Sequence, residues 1–95
     1  MGELDAHLVA PARLKLLTTL TAVSRAEFAT VRDALEVSDS VLSKHLTALE
    51  DAGYVKRHKG VHDGRRTTWI SLTARGRKAL SAHVAALREL IEGVE

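Results

Sequence analysis

The middle of the chain carries hydroxyl and lysine side chains whose spacing places them on one side of a helix. At about 100° per residue, the side opposite a leucine stripe carries Ser40, Lys44, Thr47 and Asp51, with Ser43 beside them. Asp51, near the helix end, is expected to point away from a ligand, which leaves Ser40, Ser43, Lys44 and Thr47 as candidates. The stripe itself has the spacing of a buried helix face: Leu42, Leu46 and Leu49. Small hydroxyl groups and a lysine let a helix lie deep in the major groove of DNA and reach base edges and phosphates. We therefore predict a nucleic-acid-binding face here, with a plain solvated face as the alternative.

Basic residues are concentrated in the same half of the chain. Positions 40–78 hold nine lysines and arginines against three acidic residues, a net charge of +6, and because the whole chain carries +2 the rest carries −4. One basic half in a nearly neutral protein is the expected footprint of a face that binds a polyanion. Three cations flank a predicted hairpin tip and are candidates for phosphate or minor-groove contacts: Lys59, Arg65 and Arg66. A solvated tip is the alternative for them.

Length and composition exclude several classes of protein. A chain of 95 residues allows one small domain, and 45% hydrophobic with 27% charged residues is typical of a soluble globular protein. The absence of cysteine removes disulfides, thiolate nucleophiles and cysteine-based metal sites. The acidic start has no apolar signal segment, and no run approaches the ~20 apolar residues of a spanning helix. We expect a cytoplasmic protein with no membrane partner.

The first third of the chain is predicted to be helical with one interruption. Asp5 is expected to cap a short lead-in turn, and Pro11 suits the first position of the helix that follows. The apolar face of that helix, from Leu14 to Val23, is wide enough to contact more than its own core. A brief break or short strand is expected at residues 24–26.

Two helices separated by about three residues follow. The first is predicted over Glu27 to Leu35, from its apolar spacing. Ser38 is a candidate N-cap for the second, which runs from about Asp39 to Ala52, and Gly53 suits the left-handed position where helices end.

After Gly53 the pattern changes to a hairpin. Short β-type runs at residues 54–59 and 67–72 flank a segment that contains Asp63-Gly64, a strong turn signal. Alternation along the second run places Trp69 on the sheet face opposite Ile70, where we expect it to brace the hairpin or a dimer rather than bind a ligand.

The last helix, capped by Thr73, has apolar residues at spacings of four, three, four and three. They are Leu80, Val84, Leu87, Ile91 and Val94. That spacing is typical of a coiled-coil seam, which predicts pairing with a helix of a second copy.

Residues 37–46, Val-Ser-Asp-Ser-Val-Leu-Ser-Lys-His-Leu, with Leu49 and Gly53-Tyr54-Val55, resemble the recognition-helix signature of ArsR-type and MarR-type bacterial transcriptional regulators. Residues 12–17 resemble the start of the first core helix of these families, and residues 66–76 resemble their second wing strand running into the C-terminal helix. The resemblance implies a mainly α winged helix-turn-helix fold with a small β-hairpin, in a homodimer that binds specific double-stranded DNA and represses or activates transcription. The resemblance covers roughly residues 10–90. We expect one domain over residues 1–95, with the helix-turn-helix at about 27–53, the wing at about 54–72 and a dimerisation helix at about 73–93.

Other function classes have little support in the sequence. No two of the five histidines have helical spacing on a predicted helix, since His58 and His62, four positions apart, fall in the predicted hairpin. The last helix offers only His83 near distant glutamates, so we expect no metal and no cofactor. There is no Gly-rich phosphate loop and no sign of a base placed with a nucleophile, so we expect no enzyme activity. The sequence identifies no effector ligand. The alternative function is a winged helix used only for protein–protein interaction, although such modules tend to lose the basic tip and the hydroxyl-rich face.

Overall fold

The computed structural model describes residues 2–94, so Met1 and Glu95 of the predicted 1–95 domain lie outside the described part. The fold is mainly α with a small antiparallel sheet, which confirms the predicted winged helix-turn-helix class. Its elements in chain order are α1 Pro11–Thr21, β1 Ala26–Glu27, α2 Phe28–Leu35, α3 Asp39–Asp51, β2 Val55–His62, β3 Arg65–Leu72 and α4 Ala74–Glu92.

Local capping sets the limits of α3. The side chain of Ser38 accepts a hydrogen bond from the backbone N–H of Val41 at 3.2 Å, as the N-cap prediction requires. Gly53 follows the helix at φ 81°, a left-handed conformation that glycine adopts without a steric cost. Nη1 of Arg32 on α2 lies 2.9 Å from Oδ1 of Asp39, so an ion pair joins the two helices across their turn.

The sheet has the strand order β1-β3-β2, and both pairings are antiparallel. Strands β2 and β3 pair without interruption from Val55 opposite Leu72 to His62 opposite Arg65. Only Asp63 and Gly64 form the turn, at φ 51° and 76°, a pair of positive angles typical of a two-residue hairpin loop. The strands therefore extend beyond the predicted runs 54–59 and 67–72, because cross-strand pairing continues up to the turn. The short strand lies at Ala26–Glu27, slightly later than expected.

The core collects leucines from α1 and α3 against the inner face of the sheet. Nine of its side chains have no exposed surface: Leu8, Leu16, Leu17, Leu20, Val31, Leu42, Leu46, Leu49 and Ile70. The apolar face of α1 was expected to exceed what its own core could cover. Leu16, Leu17 and Leu20 are instead fully buried within the chain, and only Val23 at the end of that face is substantially exposed.

Asp5 joins the N-terminal segment to Tyr54 and to His83 on α4 by hydrogen bonds. Oδ1 of Asp5 accepts from the N–H of His7 at 2.8 Å, which caps the predicted turn, and Oδ2 accepts from the hydroxyl of Tyr54. This hydrogen bond, with burial, raises the pKa of the Tyr54 phenol. The backbone N–H of Asp5 donates to Nδ1 of the buried His83 at 2.8 Å. Leu8, which follows, inserts into the core.

The apolar side chains of the predicted α4 seam are buried near its start and exposed near its end. Thr73 caps the helix by accepting from the N–H of Gly76 at 2.9 Å. At the start of the predicted seam, Leu80 packs into the core of its own chain with 8% of its surface exposed. Near the end, Ile91 and Val94 are 68% and 77% exposed. Within residues 2–94 no helix is both long and apolar enough to cross a membrane.

Candidate nucleic-acid interface

The four predicted residues of α3 form one continuous surface. Ser40, Ser43, Lys44 and Thr47 together line a shallow depression on the side of α3 that faces away from the core. Ser40, Lys44 and Thr47 are exposed, and Ser43 is half-buried beside the wing. Leu42 and Leu46 on the other side of α3 are fully buried, so core packing dictates which side of this helix faces outward.

Arg57 belongs to this surface, although we did not select it from the sequence. It lies opposite Ile70 in the strand pairing, so its side chain shares the sheet face that packs towards α3. Its Nη1 donates to Oγ of Ser43 at 3.2 Å, and its Nη2 donates to Oγ1 of Thr47 at 3.3 Å and to Oε1 of Glu50 at 2.6 Å. The side chains of Arg57 and Glu50 are 27% and 32% exposed, so the pair is partly shielded from water.

The three predicted cations of the wing are all exposed, but they divide between the two faces of the hairpin. Lys59 lies two positions from Arg57 on β2, so the two side chains share a face of the sheet. Arg66 lies on the same face, because it pairs with Val61, four positions from Arg57. Arg65 pairs with His62 and lies on the opposite face. The wing therefore presents positive charge on both faces and not only at its tip.

Trp69 anchors the face of the wing that points away from α3, as the alternation predicted. Its ring is 8% exposed and lies under the guanidinium of Arg25, whose Cζ is 3.9 Å from the ring centroid. The imidazole of His62 meets it edge-on at 5.6 Å between ring centroids. Gly60 packs directly on the indole, where an added Cβ would come within 2.8 Å of Cδ1. Trp69 thus braces the hairpin from one side.

His45 joins the start of α1 to the back of α3. Its Nδ1 accepts a hydrogen bond from Nε of Arg13 at 3.2 Å. Burial, together with the nearby positive charge of Arg13, lowers the pKa of His45. At neutral pH the imidazole of His45 is therefore uncharged, and its hydrogen bond with Arg13 joins α3 to α1.

The part of the chain that the structure describes contains no set of side chains suited to bind a metal ion. No three histidine or acidic side chains of residues 2–94 come together in a way that could hold an ion. His83, the histidine considered from the sequence, uses Nδ1 to accept from the backbone of Asp5.

Comparison with known proteins identifies the family. Residues 12–91 match the model of the winged helix DNA-binding domain family, and the chain belongs to that family. An uncharacterized protein of Methanocaldococcus jannaschii, MJ0432, is 32% identical over 83 residues, which are 87% of this chain and 90% of that protein.

Solved structures show the same fold over almost the whole chain. A transcriptional regulator homologue from Pyrococcus horikoshii OT3 matches 96% of this chain and 90% of its own at a TM-score of 0.88 and 26% identity. MepR of S. aureus, solved as a complex with DNA, matches 94% of this chain and 76% of its own at a TM-score of 0.74 and 23% identity. ZitR of Lactococcus lactis, described as a zinc-responsive MarR family member, has the same fold at a TM-score of 0.66 and 21% identity over 98% of this chain and 64% of its own. The family match over residues 12–91 confirms the winged-helix DNA-binding class that the resemblance of residues 37–55 implied. Family and fold are those of transcriptional regulators.

Proposed function

We propose that this protein is a homodimeric transcriptional regulator that binds specific double-stranded DNA, with α3 in the major groove and the wing on the backbone or the adjacent minor groove. The observation that carries the proposal is the outward strip of α3, where Ser40, Ser43, Lys44 and Thr47 form one surface beside a wing with exposed cations. A convex helix with small polar side chains fits the major groove, and a two-stranded ribbon is narrow enough to reach the phosphates beside it. The crystallised complex of MepR with DNA supports this mode, since MepR shares the fold.

The C-terminal half of α4 supports the proposed homodimer. Leu87 is half-buried, and Ile91 and Val94 continue the same seam with most of their surface exposed. A second copy related by a two-fold axis would cover this strip by pairing the two α4 helices. Two recognition helices held in this way would meet a pseudo-palindromic site with half-sites about one helical turn, ~10 base pairs, apart.

The experiment is a selection of bound fragments from genomic DNA, followed by gel shifts of the selected duplex and a scrambled duplex at several salt concentrations. We expect a palindromic sequence to be enriched, and we expect binding of both duplexes to weaken as salt rises because phosphate contacts release counterions. Absence of binding at low salt would favour the protein-interaction module. Binding without any enriched sequence would contradict a specific regulator.

A further inference from the structure

Arg57 controls which atoms of the recognition surface are free to contact DNA. Its guanidinium donates to three side chains along one stripe of α3, Ser43, Thr47 and Glu50, which recur at i, i+4 and i+7. The Glu50 carboxylate, 2.6 Å from Nη2, offsets its charge. Arg57 is therefore occupied within the protein and is not a free cation for a phosphate.

The hydroxyl of Thr47 makes two hydrogen bonds within the protein. Oγ1 donates its single proton to the backbone carbonyl of Ser43 at 3.0 Å, and it accepts from Nη2 of Arg57 at 3.3 Å. A hydroxyl has one proton, so Thr47 has none left to donate to a base. Thr47 is exposed, and its methyl group is the apolar part of the side chain that remains beside a hydroxyl with only one free lone pair. The two hydrogen bonds hold the side chain in one rotamer.

We infer that Thr47 contacts DNA through its methyl group, packed against the C5 methyl of a thymine in the major groove, and that Arg57 is the positioning residue that holds it in this orientation. The inference rests on the proposed function. The thymine methyl is the apolar feature of the major-groove edge, and a fixed methyl group is the complementary surface for it. Ser43 differs from Thr47, because its Oγ accepts from Arg57 while its own proton stays available for an acceptor on DNA.

The test uses the selected duplex, with each thymine replaced in turn by deoxyuridine, which lacks only the C5 methyl. For the wild type we expect one thymine in each half-site where this replacement weakens binding about fourfold, as expected for the loss of one buried methyl group. Thr47→Ser, which keeps the hydroxyl but lacks the methyl, should bind both duplexes alike at that position. Thr47→Val lacks the hydroxyl but keeps the methyl, and valine in a helix holds a single side-chain rotamer without any hydrogen bond, so this variant should retain the discrimination.

Arg57→Lys tests the positioning role. Lysine keeps the positive charge beside Glu50, but its single ammonium group does not reproduce the forked contacts of the guanidinium. We expect the ratio of thymine to deoxyuridine affinity to fall towards one, while the slope of log K against log salt stays unchanged. A purely structural role would instead weaken binding of both duplexes equally and leave the ratio as in the wild type, and that result would overturn the role assigned to Arg57.

The outcomes separate this inference from the proposed function. If the wild type selects no sequence, the proposed function fails, and the inference fails with it. If the wild type binds a specific site but no thymine shows the methyl effect, or Thr47→Ser keeps it, the function stands and the inference is wrong. Loss of discrimination in Thr47→Val would show that the hydroxyl makes the contact, which also overturns the inference.

Discussion

Nδ1 of His83 accepts a hydrogen bond at 2.8 Å from the backbone N–H of Asp5, a residue 78 positions earlier in the chain. His83 is 2% exposed, so the bond is formed away from water, where an unpaired N–H group is costly. This contact joins the first turn of the chain to the middle of α4. The side chain of Asp5 adds a second connection through the hydroxyl of Tyr54.

Replacing His83 by leucine should therefore loosen the N-terminal segment. His83→Leu leaves the N–H of Asp5 without an acceptor and should lower the free energy of unfolding by about 1–3 kcal/mol. The amide proton of Asp5 should also exchange faster with solvent. His83→Asn is the matched control, because its side-chain oxygen can take the place of Nδ1 and should restore part of the amide protection. Equal exchange of the Asp5 amide in the wild type and in His83→Leu would contradict this role.

The features that sequence reasoning predicted correctly depend on neighbours in the chain. Ser38 caps α3 by accepting from the N–H of Val41, three residues later in the chain. The positive φ angles of Asp63 and Gly64 form the hairpin turn locally. The spacing of the leucines along α3 determines which side of the helix is buried, and therefore which residues form its outward strip. Periodicity and capping are short-range, so a single sequence is sufficient to predict them.

The features that were missed depend on contacts between distant parts of the chain. Arg57 was counted only as one basic residue, because its role needs the register that places it opposite Ile70 and beneath α3. Alternation along β2, read together with α3 packing on the sheet, is the signal that could have found it. The bond of His83 to Asp5 has no periodic signal, since it joins a backbone group to a side chain across the fold.

His45 should make stability depend on pH below neutrality. Burial and the charge of Arg13 lower its pKa in the folded state from the ordinary value of 6.5. Well above pH 6.5 the imidazole is neutral in both states and contributes no pH dependence. As pH falls below that value, the unfolded state takes up the proton first, so stability is lost until the folded state is protonated as well.

Urea unfolding between pH 8 and pH 5 measures this effect when the wild type is compared with His45→Asn. Asparagine offers an acceptor to Arg13 but does not titrate. The difference in unfolding free energy between the two proteins should be constant above pH 6.5 and should move against the wild type below it. A difference that stays constant down to pH 5 would show that the histidine is not held neutral.

Gly60 should tolerate no side chain, because the indole of Trp69 occupies the space. A Cβ at Gly60 would lie 2.8 Å from Cδ1 and 2.9 Å from Nε1 of Trp69. Gly60→Ala should therefore cost about 1–3 kcal/mol and change the fluorescence of Trp69, the single tryptophan of the chain. Gly93→Ala is the control, since a Cβ there meets nothing closer than 3.4 Å. Unchanged fluorescence and stability in Gly60→Ala would mean that the wing is not packed in this way.

The dimer prediction can be tested at the exposed end of the α4 seam. Ile91 is 68% exposed in the single chain, and the homodimer would bury it. Ile91→Asp should place an unpaired carboxylate in that interface at a cost of about 3–5 kcal/mol and shift the protein to monomers in sedimentation experiments. Ala82→Asp adds the same charge to the opposite, exposed side of α4 and should leave the dimer intact. A wild type that sediments as a monomer at micromolar concentration would remove the proposed dimer.

The wing arginines should contribute affinity and not direct base recognition. Phosphate contacts carry no sequence information, and each one that is lost lowers the slope of log K against log salt by about one unit. Arg65→Ala with Arg66→Ala should therefore weaken binding of the selected and the scrambled duplex by similar factors and flatten the slope for both. Arg88→Ala, on the exposed surface of α4, is the control and should leave the slope unchanged.

The two single variants then show how the wing lies on DNA, because Arg65 and Arg66 project from opposite faces of the hairpin. If the hairpin meets the backbone with both faces, each variant flattens the slope by a similar amount. If Arg66, on the face that Arg57 shares, reaches a narrow minor groove, its loss should weaken binding most on A·T-rich flanks, where the groove is narrow and strongly negative. A slope that stays unaltered in the double variant on both duplexes would show that the wing does not touch DNA, and the positive charge of residues 40–78 would then have to serve another partner.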